Sequence, residues 1–333
     1  ARPKAELHIP TEGSREPGWR VALARRNGLG LGQDSGQARR EAYAFTDLQS
    51  FLDIYYAGAS VLIGEQDFYD MAWAYLQKAA QDHVVRAEIF FDPQTHTSRG
   101  VSMATVINGL HRACTDAQAA FGLSAELILC FLRHLSEADA LATLEQALPL
   151  REKFIGVGLD SSELGHPPEK FAKVFERSRE LGLHRVAHAG EEGPAAYIRS
   201  ALDILHVERI DHGVQAVQDA ALMQRLAREQ IALTVCPLSN LKLRVFPTLA
   251  AHNLGRLLDA GLCVTVNSDD PAYFGGYVHA QLPPTFAALG LSAQHAWQLA
   301  ANSLQASFAP QTLKQRWTKE LEETFVRFGQ LDA

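Results

Sequence analysis

Eight short apolar segments recur along this chain of 333 residues, and most of them are followed by a helical pattern or a turn. They cover residues 5–9, 84–91, 126–132, 154–160, 185–189, 209–213, 231–236 and 263–267. Strands that alternate with helices build parallel sheets. An open doubly wound sheet would show the same alternation, but it normally stops nearer six strands. Eight strands therefore predict an α/β fold of the (β/α)8 TIM barrel type.

Apolar residues at helical spacing mark the segments between these strands, as in Phe68, Met71 and Tyr75. The chain from Ser292 onward has a similar helical spacing. No linker rich in proline, glycine or serine interrupts the alternation. We therefore predict a single domain over residues 1–333, a barrel with additional C-terminal helices.

The composition argues against several classes of function. A hydrophobic content of 47% with 21% charged residues is typical of a globular protein, and a net charge of −7 without a long Lys/Arg run argues against nucleic-acid binding. No segment approaches the roughly 18 apolar residues of a membrane span, and the N-terminus has no apolar signal region. The cysteines form no CxxC pair: Cys114, Cys130, Cys236 and Cys263. We predict free thiols in a reducing cytoplasm.

Polar residues follow several of the strand-like segments. They are His8, Asp160, His188, Glu191, His212, Asp269 and Asp270. The C-terminal ends of barrel strands converge on one mouth, where TIM barrel enzymes carry out catalysis. Each residue alone has an ordinary structural explanation: Asp270-Pro271 could begin a helix, and His8 could be a hydrogen-bonded edge residue. Their recurrence at the same end of successive strands favours a functional site.

The segment from His188 to Glu191 concentrates this chemistry. A short apolar strand ends at His188, and Gly190 allows a sharp turn that aims Glu191 back toward the same mouth. Histidine and carboxylate ligands with one position left for water are typical of a catalytic zinc site, and the metal lowers the pKa of water to about 7. The sequence contains no HExxH, no G-x-S-x-G, no P-loop and no cytidine-deaminase motif.

Four segments in order along the chain resemble the adenosine/adenine deaminase family of the amidohydrolase superfamily. They are residues 188–191, 209–213, 236–240 and 267–271, and the resemblance extends over essentially the whole chain. Two further segments, residues 90–97 and 159–168, are more similar to the bacterial and fungal adenine deaminases than to adenosine deaminases. Adenosine deaminases usually carry Gly-Asp-Glu in the second of these places.

The resemblance implies hydrolytic deamination of adenine to hypoxanthine and ammonia, a step of purine salvage, with a small purine base as the partner. It implies one zinc ion per chain, bound by His8, His188 and Asp269. The attacking oxygen would add to C6 of the purine, and ammonia would leave from the same carbon.

The resemblance also implies roles for residues around the metal. Glu191 would donate a proton to the purine ring, and His212 would orient or deprotonate the attacking water. Asp270 would hydrogen-bond the purine. We further expect the segment that begins with Asp160 and Ser161 and ends with Glu163 to offer polar groups to the unsubstituted edge of a free base, and therefore expect free bases to be preferred over nucleosides.

The chain departs from the family at one position. The family opens with His-x-His, and both histidines bind metal, whereas this chain has His8-Ile9-Pro10. Proline offers no side-chain ligand and no backbone N–H, but three protein ligands suffice in many catalytic zinc sites. The leading hypothesis is thus an active adenine deaminase. Two alternatives stay open: a deaminase of N6-substituted adenines such as cytokinins, and a catalytically impaired relative that binds a purine without turning it over.

Overall fold

Eight parallel strands form the centre of the molecule and are hydrogen-bonded to one another in chain order. This computed structural model describes residues 2–14, 17–29 and 45–329. The strands are β1 (Lys4–Pro10), β2 (Val84–Phe91), β3 (Ser124–Leu132), β4 (Gly156–Asp160), β5 (His184–Ala189), β6 (Arg209–His212), β7 (Ala232–Val235) and β8 (Val264–Val266). Each one overlaps a predicted segment, with ends that differ by one or two residues. The predicted (β/α)8 barrel is confirmed.

Helices alternate with the strands as the sequence predicts. They are α1 (Pro17–Arg26), α2 (Leu48–Ala59), α3 (Glu65–Gln81), α4 (Pro93–Thr97), α5 (Met103–Phe121), α6 (Glu137–Ala147), α7 (Ala172–Glu180), α8 (Ala195–Asp203), α9 (Ala220–Glu229), α10 (Pro237–Lys242), α11 (Leu254–Asp259), α12 (Pro271–Phe274), α13 (Val278–Leu289), α14 (Ala293–Ala306) and α15 (Gln311–Gly329). Short 3-10 turns span Thr11–Ser14, Leu148–Lys153, Pro168–Phe171, Val214–Gln218 and Leu249–Ala251. None of the described helices is long and apolar enough to cross a membrane.

The strands are buried on both faces, because one face lines the barrel interior and the other packs against helices. Strand β4 shows how tight the interior is. A Cβ at Gly156 would lie 2.8 Å from the carbonyl oxygen of His184, and one at Gly158 would lie 2.6 Å from Cys130 Sγ. Glycine is therefore required at both positions. All four cysteines are buried and free, as the sequence analysis predicted.

The first and last strands meet through side-chain as well as backbone hydrogen bonds. Strand β8 ends at Val266, one residue before its predicted end. The next residue, Asn267, connects to β1 through its side chain, because Asn267 Oδ1 accepts a hydrogen bond from the N–H of Leu7 at 2.9 Å. Two residues later, the N–H of Asp269 donates to the carbonyl oxygen of His8 at 3.1 Å. These contacts bring the end of β1 and the segment after β8 into one wall.

The sequence analysis did not identify helix α2, which lies over the mouth of the barrel. The side chain of Asp47 accepts from the N–H of Ser50 at 2.8 Å, and Ser50 Oγ accepts from the N–H of Asp47 at 3.2 Å, which is a capping box. The buried face of the helix includes Phe51 and Tyr55 and packs against α12 around Phe274. This helix supplies an aromatic roof to the cavity described below.

The C-terminal region after Ser292 is helical, as predicted, and divides into α14 and α15. Trp317 and Leu321 of α15 pack in one apolar cluster with Ala5 and Leu7 of β1. The tail therefore supports the strand that carries His8.

Candidate active site

One cavity at the C-terminal ends of the strands brings together nearly all of the predicted site residues. Its lining includes polar residues at or after the ends of five strands, β2, β4, β5, β6 and β8: Asp92, Asp160, Ser161, His188, Glu191, His212, Asp269 and Asp270. Pro10, Leu243 and residues of α2 complete its wall. Of the predicted residues only His8 is absent from this lining, since it is fully buried directly beneath, against the rings of His188 and His212.

Three histidine rings surround a common point in this cavity. The ring centroids of His8 lie 4.6 Å from those of His188 and His212, which are 5.1 Å from each other. Asp269 Oδ1 is 3.4 Å from His8 Nε2, and Asp269 Oδ2 is 3.8 Å from His212 Nε2. His8 Nε2 is buried and has no hydrogen-bond partner. Imidazole rings that converge with a carboxylate around an unpartnered ring nitrogen fit a divalent metal ion such as zinc.

The proton on His8 is positioned by two residues that the sequence analysis missed. Thr234 Oγ1 donates to Asp211 Oδ1 at 2.9 Å and lies 2.9 Å from His8 Nδ1. Because the threonine proton goes to the carboxylate, the hydroxyl oxygen accepts from His8 Nδ1–H. The lone pair of His8 is then on Nε2, which faces Asp269. Such contacts behind a ligand set its tautomer and orientation.

Asp211 also faces a second histidine, His188, whose Nδ1 is 3.5 Å from Asp211 Oδ2. Burial lowers the basicity of His188, but the hydrogen bond and charge of Asp211 more than offset it and raise the pKa of His188 to about 9. Burial alone would raise the pKa of Asp211, yet His188 and His8 hold it below its usual range. Asp211 therefore remains an anion that orients both rings. It directly precedes His212 in the chain.

Asp269 is held in place from two directions. Ser239 Oγ donates to Asp269 Oδ2 at 2.7 Å. The preceding Ser268 donates from both its backbone N–H and its hydroxyl to the buried carboxylate of Glu6, to which Tyr75 also donates at 2.8 Å. Burial would raise the pKa of Asp269, but His8 and Ser239 hold it well below its usual range. Asp269 is therefore ionised and ready to act as a ligand.

Three of the predicted site residues have backbone angles in the left-handed region. The φ angles are +76° at Ser161, +63° at His212 and +57° at Asp269. Residues other than glycine adopt this region at a cost of roughly 1–2 kcal/mol each. Backbone strain of this kind persists where the surrounding structure over-determines it and is concentrated at functional sites.

The loop that carries Glu191 wraps around the carboxylate of Glu163. Glu163 accepts four backbone N–H groups, from Gly190 at 2.6 Å, Glu191 at 3.1 Å, Glu192 at 2.9 Å and Gly193 at 2.9 Å. A Cβ at Gly193 would lie 2.6 Å from Glu163 Oε1. Glu163 therefore positions this loop and does not face the cavity, although the sequence analysis grouped it with Asp160 and Ser161 as a source of polar groups for the substrate.

Glu191 is a buried carboxylic acid at the centre of the site. Burial raises the pKa of Glu191 well above its ordinary value, and the neighbouring charge of Asp269 raises it further. Its Oε2 lies 3.5 Å from His212 Nε2, while its Oε1 is buried without a partner. A carboxyl group that keeps its proton at neutral pH can act as a general acid.

His212 is kept neutral and in a defined tautomer. Burial, followed by the proximity of the His8 ring, lowers the pKa of His212 well below its ordinary value. Asn240 Nδ2 donates to His212 Nδ1 at 3.3 Å, and Asn240 Oδ1 is 3.1 Å from His252 Nε2. The proton of the neutral ring is therefore on Nε2, which faces Glu191 and Asp269. Asn240 and His252 are further supporting residues that the sequence analysis did not name as part of the site.

Asp270 and Asp92 complete the polar lining. Asp270 occupies the space that glycine leaves at position 13, since a Cβ there would be 1.7 Å from Asp270 Oδ1. Burial and the charge of Asp269 raise the pKa of Asp270 well above its ordinary value. Asp92, which directly follows β2, was not among the predicted site residues. The signal was available, because Asp92 ends its strand as Asp160 does.

Ser161 and Pro10 both line the cavity but differ in polarity. Ser161 Oγ is hydrogen-bonded at 2.8 Å both to the hydroxyl of Tyr56 and to His134 Nδ1. Pro10 ends β1 opposite Phe90 and contributes no polar side-chain atom to the cavity. The departure noted in the sequence thus lies in the wall of the site itself.

Comparisons with known proteins agree with this geometry. A sequence model of the adenosine deaminase family matches residues 3–324. The adenine deaminase of Albidiferax ferrireducens is 67% identical over 326 residues, which cover 98% of this chain and 94% of the relative. That of Geotalea uraniireducens is 63% identical over 327 residues, covering 98% of this chain and 92% of the relative.

Two solved structures have the same fold. The crystal structure of adenine deaminase from Arthrobacter aurescens matches with a TM-score of 0.95 at 51% identity, covering 97% of this chain and 99% of that one. An amidohydrolase from Burkholderia ambifaria, solved with bound Zn, matches with a TM-score of 0.91 at 27% identity, covering 99% of this chain and 92% of that one. With the family match spanning nearly the whole sequence, this chain belongs to the adenosine deaminase family.

Proposed function

We propose that this chain is a zinc-dependent aminohydrolase that converts adenine to hypoxanthine and ammonia. The observation that carries the proposal is the buried carboxyl group of Glu191, which lies beside the histidine cluster with Oε2 3.5 Å from His212 Nε2 and whose pKa is raised by burial. Hydrolysis of an aminopurine needs a group that donates a proton to a ring nitrogen and an activated water that attacks the carbon bearing the amino group. The residues of this cavity can supply both functions. The names of the relatives at more than 60% identity support adenine as the substrate.

His8, His188 and Asp269 are the residues that would hold one zinc ion per chain. The unpartnered Nε2 of His8 and the ionised carboxylate of Asp269 support this assignment. When bound, the metal acidifies a water molecule so that it is nucleophilic at neutral pH.

The remaining residues divide the proton transfers and the binding of the purine. Glu191 donates its proton to the ring nitrogen next to C6, which removes electron density from that carbon. His212, neutral and protonated on Nε2, orients the attacking water by donating a hydrogen bond to it. That water supplies both the proton that the leaving nitrogen needs to depart as ammonia and the proton that restores Glu191. Asp270 hydrogen-bonds the purine, and Asp160 and Ser161 bind its far edge.

The protein is proposed to act in the cytoplasm. Its four cysteines are buried and free, which is typical of proteins in a reducing compartment.

One observation favours a second candidate, a purine-binding relative with impaired catalysis. Pro10 lies in the cavity wall and supplies no ligand, and losses around a metal commonly cost about 10–100-fold in affinity or activity. Under this alternative the carboxyl groups would still bind a purine.

The test is metal analysis of the purified protein together with ammonia release from adenine, N6-methyladenine and adenosine. Bound zinc and release of ammonia from adenine are the expected results. Purine binding without turnover, even in excess zinc, would favour the impaired relative instead. Faster turnover of N6-methyladenine than of adenine would show that the enzyme acts on N6-substituted adenines and releases an amine in place of ammonia.

A further inference from the structure

We propose that Asp92 and Asp160 form a carboxyl pair that accepts the imidazole N–H of a free purine base, and that Asp92 is thereby a specificity-determining residue. The inference rests on the proposed function, and it adds Asp92 as a binding residue and the imidazole N–H as the part of the purine that it recognises. It explains how a base can be distinguished from its nucleoside, in which a sugar replaces this hydrogen.

The two carboxyl groups lie together on one wall of the cavity. Asp92 follows β2 and Asp160 ends β4, so the two flank the end of β3. One oxygen of each carboxyl group lies within 4.8 Å of one oxygen of the other, and both side chains line the cavity. Asp92 is 3% exposed and Asp160 6%, yet Oδ1 of each has no hydrogen-bond partner. Buried oxygens without partners are costly, and a ligand that donates to them removes that cost.

Two carboxyl groups that are this close and this deeply buried do not both ionise, so one keeps a proton that it can donate to the other. Burial, followed by the charge of Asp160, raises the pKa of Asp92 well above its ordinary value, and burial also raises that of Asp160. Two adjacent carboxyl groups in a dry site share one proton in this way. With that proton used inside the pair, both Oδ1 atoms remain acceptors. The pair is thus suited to a ligand that offers an N–H.

The position of the pair in the barrel identifies which part of the purine it meets. In a closed eight-stranded barrel the ends of β2–β4 lie across the mouth from the ends of β6–β8. His212 and Asp269 belong to the second group, and the reacting C6 must face them. The imidazole N–H of adenine, on N9 in the prevalent tautomer, lies on the ring edge opposite C6. A base oriented for reaction therefore presents this N–H to Asp92 and Asp160.

A metal ion is the competing explanation, because Cys130 Sγ and one oxygen of each carboxyl group lie within 4.8 Å of one another. Burial raises the pKa of the Cys130 thiol well above its ordinary value, and thiols bind metals as thiolates. Two carboxyl groups that hold a proton between them are equally poor ligands. The chemistry of the cluster favours an organic donor.

The experiment measures equilibrium binding of adenine and 9-methyladenine by calorimetry, alongside ammonia release, for three substitutions. Asp92→Leu keeps the approximate size of the side chain without an acceptor, and Asp92→Asn keeps an acceptor oxygen and an N–H to donate to Asp160. Asp259→Ala, on the exposed end of α11, is the matched control. Thermal unfolding checks that each variant is folded.

The unsubstituted protein should bind adenine at least about 100-fold more tightly than 9-methyladenine, since sites built for a hydrogen bond reject analogues that lack it. Asp92→Leu should lower that ratio by at least about tenfold, and Asp92→Asn should retain most of it. An undiminished ratio in Asp92→Leu would show that exclusion is purely steric and would overturn the inference. Two metal ions per chain, with one lost in Asp92→Leu, would overturn it as well.

The outcomes separate this inference from the proposed function. A protein that binds adenine selectively through Asp92 but releases no ammonia would contradict the proposed function alone. A protein that deaminates adenine with a ratio insensitive to Asp92 would contradict only the role of the pair.

Discussion

The carboxylate of Glu163 accepts the backbone N–H of Glu191 at 3.1 Å, so one acidic residue positions the main chain of another. The two residues are 28 positions apart and belong to successive strand-end loops. Glu163 is buried, and its acceptor capacity is taken up by four N–H groups of the loop. The proton donor of the proposed reaction is thus held by a residue that does not line the cavity.

Glu163→Gln should lower kcat by about 10–100-fold, because the amide replaces one acceptor with a donor that opposes the loop N–H groups. Glu163 also contributes to the raised pKa of Glu191, after burial and Asp269. The alkaline limb of the kcat profile should therefore move to lower pH. Glu152→Gln, an exposed position, is the control. A fall in stability with an unmoved pH profile would show that Glu163 is only structural.

Glu191→Gln should abolish most turnover while the metal stays bound. The amide keeps the size and the hydrogen bonding of the side chain but cannot act as an acid. Loss of a positioned general acid lowers the rate by about 10²–10⁴-fold. For the unsubstituted enzyme, the raised pKa of Glu191 means that activity persists above the ordinary range of a glutamate and falls as pH rises through the folded pKa. A Gln variant with a near-normal rate would remove Glu191 from the mechanism.

Thr234→Val should weaken metal binding by about 10–100-fold. The substitution keeps the shape of the side chain but leaves His8 Nδ1–H without its acceptor and Asp211 Oδ1 without the threonine donor. Competition with a chelator measures the effect directly, independently of turnover. Thr143→Val, a buried threonine of α6, is the matched control. Equal metal affinity in the two variants would show that the tautomer of His8 does not depend on Thr234.

Pro10→His tests the departure from the family. If Pro10 replaces a ligand, the starting protein should hold less than one zinc per chain or lose it readily to a chelator. Restoring an imidazole should then raise metal affinity and turnover. Pro10→Ala is the control, because it frees the φ angle that proline restricts without supplying a ligand. If both variants behave alike and the starting protein holds a full, chelator-resistant zinc, the site is complete with His8, His188 and Asp269.

The residues at the strand ends were predictable because barrel geometry alone converts their position in the sequence into proximity. His188 and His212 lie at the ends of predicted strands and Asp269 closely follows another, and parallel strands deliver such residues to the same mouth. The supporting contacts were not predictable in this way. Thr234 meets His8 across 226 positions of sequence, and no local pattern distinguishes it from an ordinary strand threonine. Helix α2 was missed for a similar reason, since its place over the mouth is decided by packing against α12.

The contact between the N–H of Asp269 and the carbonyl oxygen of His8 has a consequence for how the protein is made. It joins the two ends of the barrel, and the proposed metal ligands lie one on each side of that seam. A nascent chain emerging from the ribosome displays His8 long before Asp269, which follows only after 260 further residues have been synthesised. Metal that binds through both residues can therefore be acquired only after the last strand has been released. Partly synthesised chains would have no competent site in which to capture it.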